Sequence, residues 1–111
     1  MLTKQEIAIL RKDGEAEDSE LPRVFSVLGD ENRWKIFRLL MQYNDLCVTD
    51  LARVLNVSVP AVSQQLRILE MGGLVSRQRQ GQKICYEIAR GNSVTALVVR
   101  LVTAWRRIRG K

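Results

Sequence analysis

The sequence predicts a mainly α domain with one small β-hairpin (α+β), and three observations predict it. Apolar residues recur at helical spacing in six segments. Between the fifth and sixth lies a stretch of period two around a glycine turn, Leu74 to Ile88. The segments are also punctuated by capping residues and glycines at the places where helices start and stop. At 111 residues the chain holds one core rather than two.

Leu2 to Lys12 reads as a short helix with Ile7 and Leu10 on its apolar side. The acidic stretch Asp13 to Glu20 reads as a linker, so residues 1–20 divide from a main domain, 21–111. Ser19 is placed to cap the next helix, whose first turn holds Glu20 and Pro22 and whose apolar face is Val24, Phe25 and Leu28. Gly29 ends it, and Asp30 caps a helix from Glu31 to Tyr43, with Ile36, Phe37, Leu39 and Leu40 inward. Leu46-Cys47-Val48 is a short extended piece. Thr49 then reads as the cap of a helix from Asp50 to Leu55. Asn56-Val57 is a tight connection. Ser58 caps the following helix, with Pro60 in its first turn, where a missing N–H costs nothing. Val62, Leu66 and Leu69 form its apolar face, and Gly72-Gly73 stops it. Leu74 to Arg79 and the alternating Ile84, Tyr86 and Ile88 are strands about the turn Gln80-Gly81-Gln82. The last helix, Ser93 to Ile108, carries a wide apolar stripe of Val94, Leu97, Val98, Leu101, Val102, Trp105 and Ile108.

Composition narrows the function. The chain has no histidine, which removes the commonest general base and the commonest zinc ligand. Beyond Asp50 its only acids are Glu70 and Glu87, so an enzyme is not expected, nor any cofactor. No run reaches the ~18 apolar residues of a membrane helix, and two cysteines cannot make a disulfide scaffold; a cytoplasmic chain with no membrane partner is the expectation. The net charge of +6 is unevenly divided. Residues 1–50 hold seven Lys/Arg against ten Asp/Glu, and residues 51–111 hold eleven against two. A basic second half suits a polyanion, although basic segments also serve membranes and acidic partners.

The order of elements bears on that choice. Two short capped helices joined by a tight turn, then strand-turn-strand, spell a helix-turn-helix followed by a wing. With Val62, Leu66 and Leu69 holding the second helix to the core, Val59, Ala61, Ser63, Gln64, Gln65 and Arg67 face outward. Gln suits a bidentate contact to adenine and Arg to guanine or phosphate, and Ala61 permits close approach. Ser58 and the free N–H groups beside it suit a phosphate. Arg77, Arg79, Gln82 and Lys83 flank the hairpin turn, placed for the sugar-phosphate backbone or a minor groove. The duller reading of the same residues is a solvated helix face and a charged edge that resists aggregation.

Leu28 to Leu40, Val57 to Leu69, Gly73-Leu74-Val75 and the Arg-rich hairpin ending at Tyr86 resemble the signature segments of the ArsR/SmtB family of winged-helix repressors. The resemblance covers roughly residues 21 to 108. It implies double-stranded DNA as partner, a homodimer through terminal helices on an operator inverted repeat, and release by an inducer. The stripe on the last helix, longer than a small domain covers alone, agrees with the dimer, and Leu2 to Leu10 is a second candidate for it. The basic amphipathic end Trp105-Arg106-Arg107-Ile108-Arg109 leaves membrane contact as another use. The family's metal sites are incomplete here. Cys47 matches the first cysteine of the family's Cys-x-Cys pair, but Thr49 stands at the second, and residues 92–111 hold no Asp, Glu, His or Cys. In a winged helix the strand at Leu46-Cys47 pairs with the second wing strand. Cys47 and Cys85 then share a face as a candidate thiol sensor, through a disulfide, a persulfide bridge or a two-thiolate metal site; otherwise they are two unrelated small residues. An inducer-free regulator and a protein-interaction module built on the last helix remain as alternatives.

Overall fold

The computed structural model describes residues 1–15 and 20–110. The proposed cap Ser19, the rest of the acidic stretch 16–18, and Lys111 lie outside the described residues. The chain runs α1 (Lys4–Glu15), α2 (Glu20–Leu28), α3 (Glu31–Gln42), β1 (Leu46–Cys47), α4 (Val48–Leu55), α5 (Val59–Met71), β2 (Val75–Gln80), β3 (Lys83–Ile88) and α6 (Ser93–Ile108). The strands form one antiparallel sheet in the order β1-β3-β2. This is the winged helix-turn-helix that the sequence predicts, with α4 and α5 as the helix pair and β2–β3 as the wing.

The core is built where the helical stripes meet the inner face of the sheet. Phe37 and Leu40 of α3, Leu51 of α4, Leu66 and Leu69 of α5, and Leu74 before β2 are at most 1% exposed. Caps set the ends of these helices. Asp30 accepts from the N–H groups of Asn32 and Arg33, Ser58 from Ala61, and Asn92 from Thr95. Asn56, in the left-handed region at φ 57°, turns the chain between α4 and α5. Gly73 (φ +79°) does the same between α5 and the wing, where a Cβ would lie 2.9 Å from the Asn92 side-chain nitrogen.

Several expectations are corrected. The first helix is longer than its apolar residues suggested: it begins after Thr3 and continues through Gly14 to Glu15. A reciprocal capping box starts it, with Thr3 Oγ1 accepting from the Glu6 N–H and Glu6 Oε1 from the Thr3 N–H. Thr49 does not cap α4. That helix starts two residues earlier than expected, at Val48, with Cys47 as N-cap and no side-chain hydrogen bond there. Phe25 is exposed, and of its predicted face Val24 is the buried member. The outer face of β3 is not open either: Cys85 is fully buried, while Tyr86 and Ile88, on the other face, are buried as expected. The stripe on α6 divides in two. Val98 and Val102 are buried in the protein's own core and Val94 packs half-buried against it. Leu97, Leu101, Trp105 and Ile108 stay exposed, by 44% or more. Thr95, fully buried, donates from Oγ1 to the Gly73 carbonyl at 2.7 Å and latches the start of α6 to the end of α5.

Candidate nucleic-acid interface

Helix α5 is held by one face and offers the other. Val62, Leu66 and Leu69 are buried, while Val59, Ala61, Gln64 and Arg67 are exposed and Ser63 is half-buried. Ser58 Oγ takes the N–H of Ala61 at 3.2 Å, leaving the other first-turn N–H groups at that end. Gln65 is half-buried, and its Oε1 accepts from Arg33 Nη1 at 3.1 Å. The same guanidinium donates from Nε to the Val27 carbonyl at 2.7 Å. Gln65 is therefore tied to α2 and α3 through Arg33, whereas its neighbour Gln64 is exposed.

On the wing, Arg77 stands opposite Tyr86 and Arg79 opposite Ile84, so both arginines start from one face of the hairpin. Their surroundings differ. Arg79 donates from Nε to the Gly81 carbonyl at 3.1 Å and braces the turn, where Gly81 has φ +66°. Arg77, Gln82 and Lys83 instead join α5 around a cavity of about 390 Å3. Val59, Ser63 and Arg67 line it from the helix, Cys47, Val48 and Thr49 from the start of α4, and Ile84 and Tyr86 from β3. Six of the residues expected at DNA thus converge on one concavity. Ser58, Gln64 and Arg79 lie outside its wall, and Ala61 and Gln65 line a smaller depression beside Asn32 and Lys35.

The charge of this wall is mostly positive: Arg67, Arg77 and Lys83 against Glu70. Glu70 and Tyr86 belong to it and were missed as site residues. The signal for Glu70 was its position one turn after Arg67. For Tyr86 the sequence offered only strand alternation and its place at the end of the hairpin. Burial, then the nearby Glu70 carboxylate, push the Tyr86 phenol above its usual pKa, and Arg77 and Arg67 pull it back in part. The phenol is thus held neutral where it lines the cavity.

Cys47 and Cys85 face each other in the β1–β3 register and are joined by a disulfide. The expected proximity is present. A persulfide bridge or a two-thiolate metal site is not, because each sulfur already bonds the other. Among the described residues no group of three or more His, Cys, Asp or Glu side chains is placed to hold a metal. A second surface lies on α6. Phe25, Leu28, Trp34, Leu101 and Trp105 border an apolar groove of about 510 Å3, with Val98 and Val102 at its base. Trp105 meets Trp34 edge-on at 6.4 Å, and the Arg109 guanidinium lies 5.0 Å from the Trp105 ring centre.

The family model for bacterial regulatory proteins of the arsR family matches residues 30–77, from the cap of α3 to the wing. The arsenical resistance operon repressor of Escherichia coli (strain K12) is 33% identical over 85 residues, 76% of this chain and 71% of the relative. The chain belongs to the ArsR family. A transcriptional repressor SmtB homolog from Synechocystis sp. is 40% identical over 70 residues, 63% of this chain but 52% of that relative. The match thus spans little more than half of the SmtB homolog's length. Among solved structures, the homodimeric winged helix-turn-helix DNA-binding domain of a possible ArsR-family regulator from Mycobacterium bovis superposes with a TM-score of 0.68 at 25% identity. It covers 96% of this chain and 89% of that one. The ArsR-family chain is accordingly a DNA-binding transcriptional regulator. None of its described helices is long and apolar enough to cross a membrane.

Proposed function

We propose that this ArsR-family protein is a cytoplasmic repressor that binds an inverted-repeat operator as a homodimer and is released by an inducer. The observation that carries the reading is the convergence of α5 and the wing on one cationic concavity, with Arg67, Arg77 and Lys83 in its wall. In this reading α5 enters the major groove. Gln64 and Arg67 read base edges there, with Ser63 and Ala61 in close contact. The Ser58 end of α5 holds a phosphate, Arg77 and Lys83 follow the backbone, and Arg79 and Gln82 shape the hairpin tip. None of these roles requires a catalytic group.

The dimer is proposed through α6. Leu97, Leu101, Trp105 and Ile108 leave an apolar strip in water beside the Phe25–Trp34 groove, and a second copy would cover it. Val98, Val102 and Val94 support that face from below. The Cys47–Cys85 pair is the proposed sensor, since it ties the wing to the N-cap of α4. The test is a gel shift with duplex DNA from upstream of the protein's own gene, at 50 and 200 mM salt. Several phosphate contacts lower affinity by roughly 10³-fold or more over that range. Absence of salt-sensitive duplex binding would overturn the reading.

A further inference from the structure

The disulfide is asymmetric in its surroundings. Cys85 is 0% exposed and takes no part in the cavity wall. Cys47 is 8% exposed and lines the cavity between α5 and the wing. Access therefore directs a thiolate from that cavity to Cys47. The approach is flanked by Arg67, Arg77 and Lys83, against one carboxylate, Glu70, among the described lining residues. Such a wall attracts an anion and disfavours a cation. At about 390 Å3 the space falls in the range of small-molecule sites, roughly 300–1,000 Å3.

We propose that this cavity is a thiol-exchange site for small thiols that carry carboxylate groups, and that the adduct on Cys47 displaces DNA. The inference rests on the DNA-binding reading above. In the first step the small thiolate sulfur bonds Cys47 Sγ, the Cys47–Cys85 bond breaks, and Cys85 leaves with the electron pair. Cys85 takes up the proton that the incoming thiol gave up. The products are a mixed disulfide on Cys47 and a Cys85 thiol, with no net change in oxidation. A second small thiol then attacks the outer sulfur and releases its own disulfide and Cys47. Cys47 is the N-cap of α4, where a helix N-terminus favours a departing thiolate, so in this second step Cys47 is the leaving group and the adduct's sulfur departs in the small disulfide. While the adduct persists it fills the concavity that Ser63, Arg67, Arg77 and Lys83 line, and it brings negative charge where phosphate would sit.

The bridged wild-type protein is mixed with 3-mercaptopropionate, 2-mercaptoethanol or cysteamine at matched thiolate concentration. Samples are quenched early with iodoacetamide and mapped by mass spectrometry. The expected result is an adduct on Cys47 and an alkylated Cys85. Attack by 3-mercaptopropionate should be about tenfold faster than by cysteamine, at low salt. Arg77→Gln with Lys83→Gln should flatten that preference. An adduct on Cys85, or equal rates for the anionic and cationic thiols, would overturn the site. For the switch, Cys85→Ser, checked for fold by circular dichroism, is thiolated stoichiometrically on Cys47 with glutathione disulfide. Its duplex affinity should fall at least tenfold against the unmodified variant. Unchanged affinity overturns the proposal. If neither the variant nor bridged wild type binds any duplex, the DNA-binding reading fails, and with it the displacement, whatever the mass spectra show.

Discussion

Arg33 donates to Val27 and to Gln65 with one guanidinium, so a single side chain aligns α2, α3 and α5. Removing its partner should therefore look structural. Gln65→Ala should lower unfolding stability by about 1 kcal/mol and weaken all duplexes alike. Gln64→Ala should leave stability unchanged and shift discrimination at one base pair by about 1–3 kcal/mol. Urea unfolding and a binding series over single-base operator variants separate the two. Tyr86 offers a pH test. Its phenol holds its proton more tightly folded than unfolded, because burial and Glu70 disfavour the anion. As pH rises past the ordinary phenol value of about 10, the unfolded state loses that proton first and stability falls. The urea midpoint of wild type should drop more between pH 9 and 11 than that of Tyr86→Phe, which has no such proton to lose.

At the scale of elements, α3 and α5 were legible because each combines a capping side chain with a buried stripe, and α6 was legible from its stripe alone. Asp30, Ser58 and Asn92 mark the chain positions where those helices begin. The start of α4 was not legible, because Cys47 caps it without a side-chain hydrogen bond and Thr49 supplies a misleading one-residue signal. The partner of Gln65 was not legible for a related reason. Helical spacing orders residues around one axis, and the partner that claims Gln65 lies 32 residues away on another helix. The cysteine pairing was legible through strand register, Cys47 against Cys85. The burial of Cys85 was not, since alternation describes a sheet covered on one face. The wing gives the prediction of this scale. Lys83→Gln should reduce the slope of log affinity against log salt by about 0.9 and weaken all sequences equally. Arg79 spends one N–H on Gly81, so Arg79→Gln should also loosen the hairpin. That is read as faster amide exchange across β2 and β3.

For the whole molecule, the exposed strip of α6 is the main unpaired asset. Leu101 is 54% exposed and borders the groove against Phe25 and Trp34. Leu101→Glu should leave the fold intact by circular dichroism yet sediment as a monomer, and its operator affinity should fall by 10²-fold or more as avidity is lost. An unchanged sedimentation coefficient would place the partner elsewhere. The acidic first half and basic second half also acquire a layout, since the cations of α5 and the wing share one concavity while Arg109 stacks on Trp105 at the far end of α6.

One small junction governs how these surfaces work together. The Gly73 peptide receives the Thr95 hydroxyl at 2.7 Å, and at φ +79° a Cβ on Gly73 would lie 2.9 Å from the Asn92 side-chain nitrogen. The helix offered to a partner thus begins at the same point where the reading helix ends. In a paired molecule, that junction acts as the pivot of a caliper. In the proposed dimer, the distance between the two reading helices then follows from how the α6 helices meet. Operators with one base pair added between half-sites should therefore be rejected by geometry, even when every base in each half-site is correct.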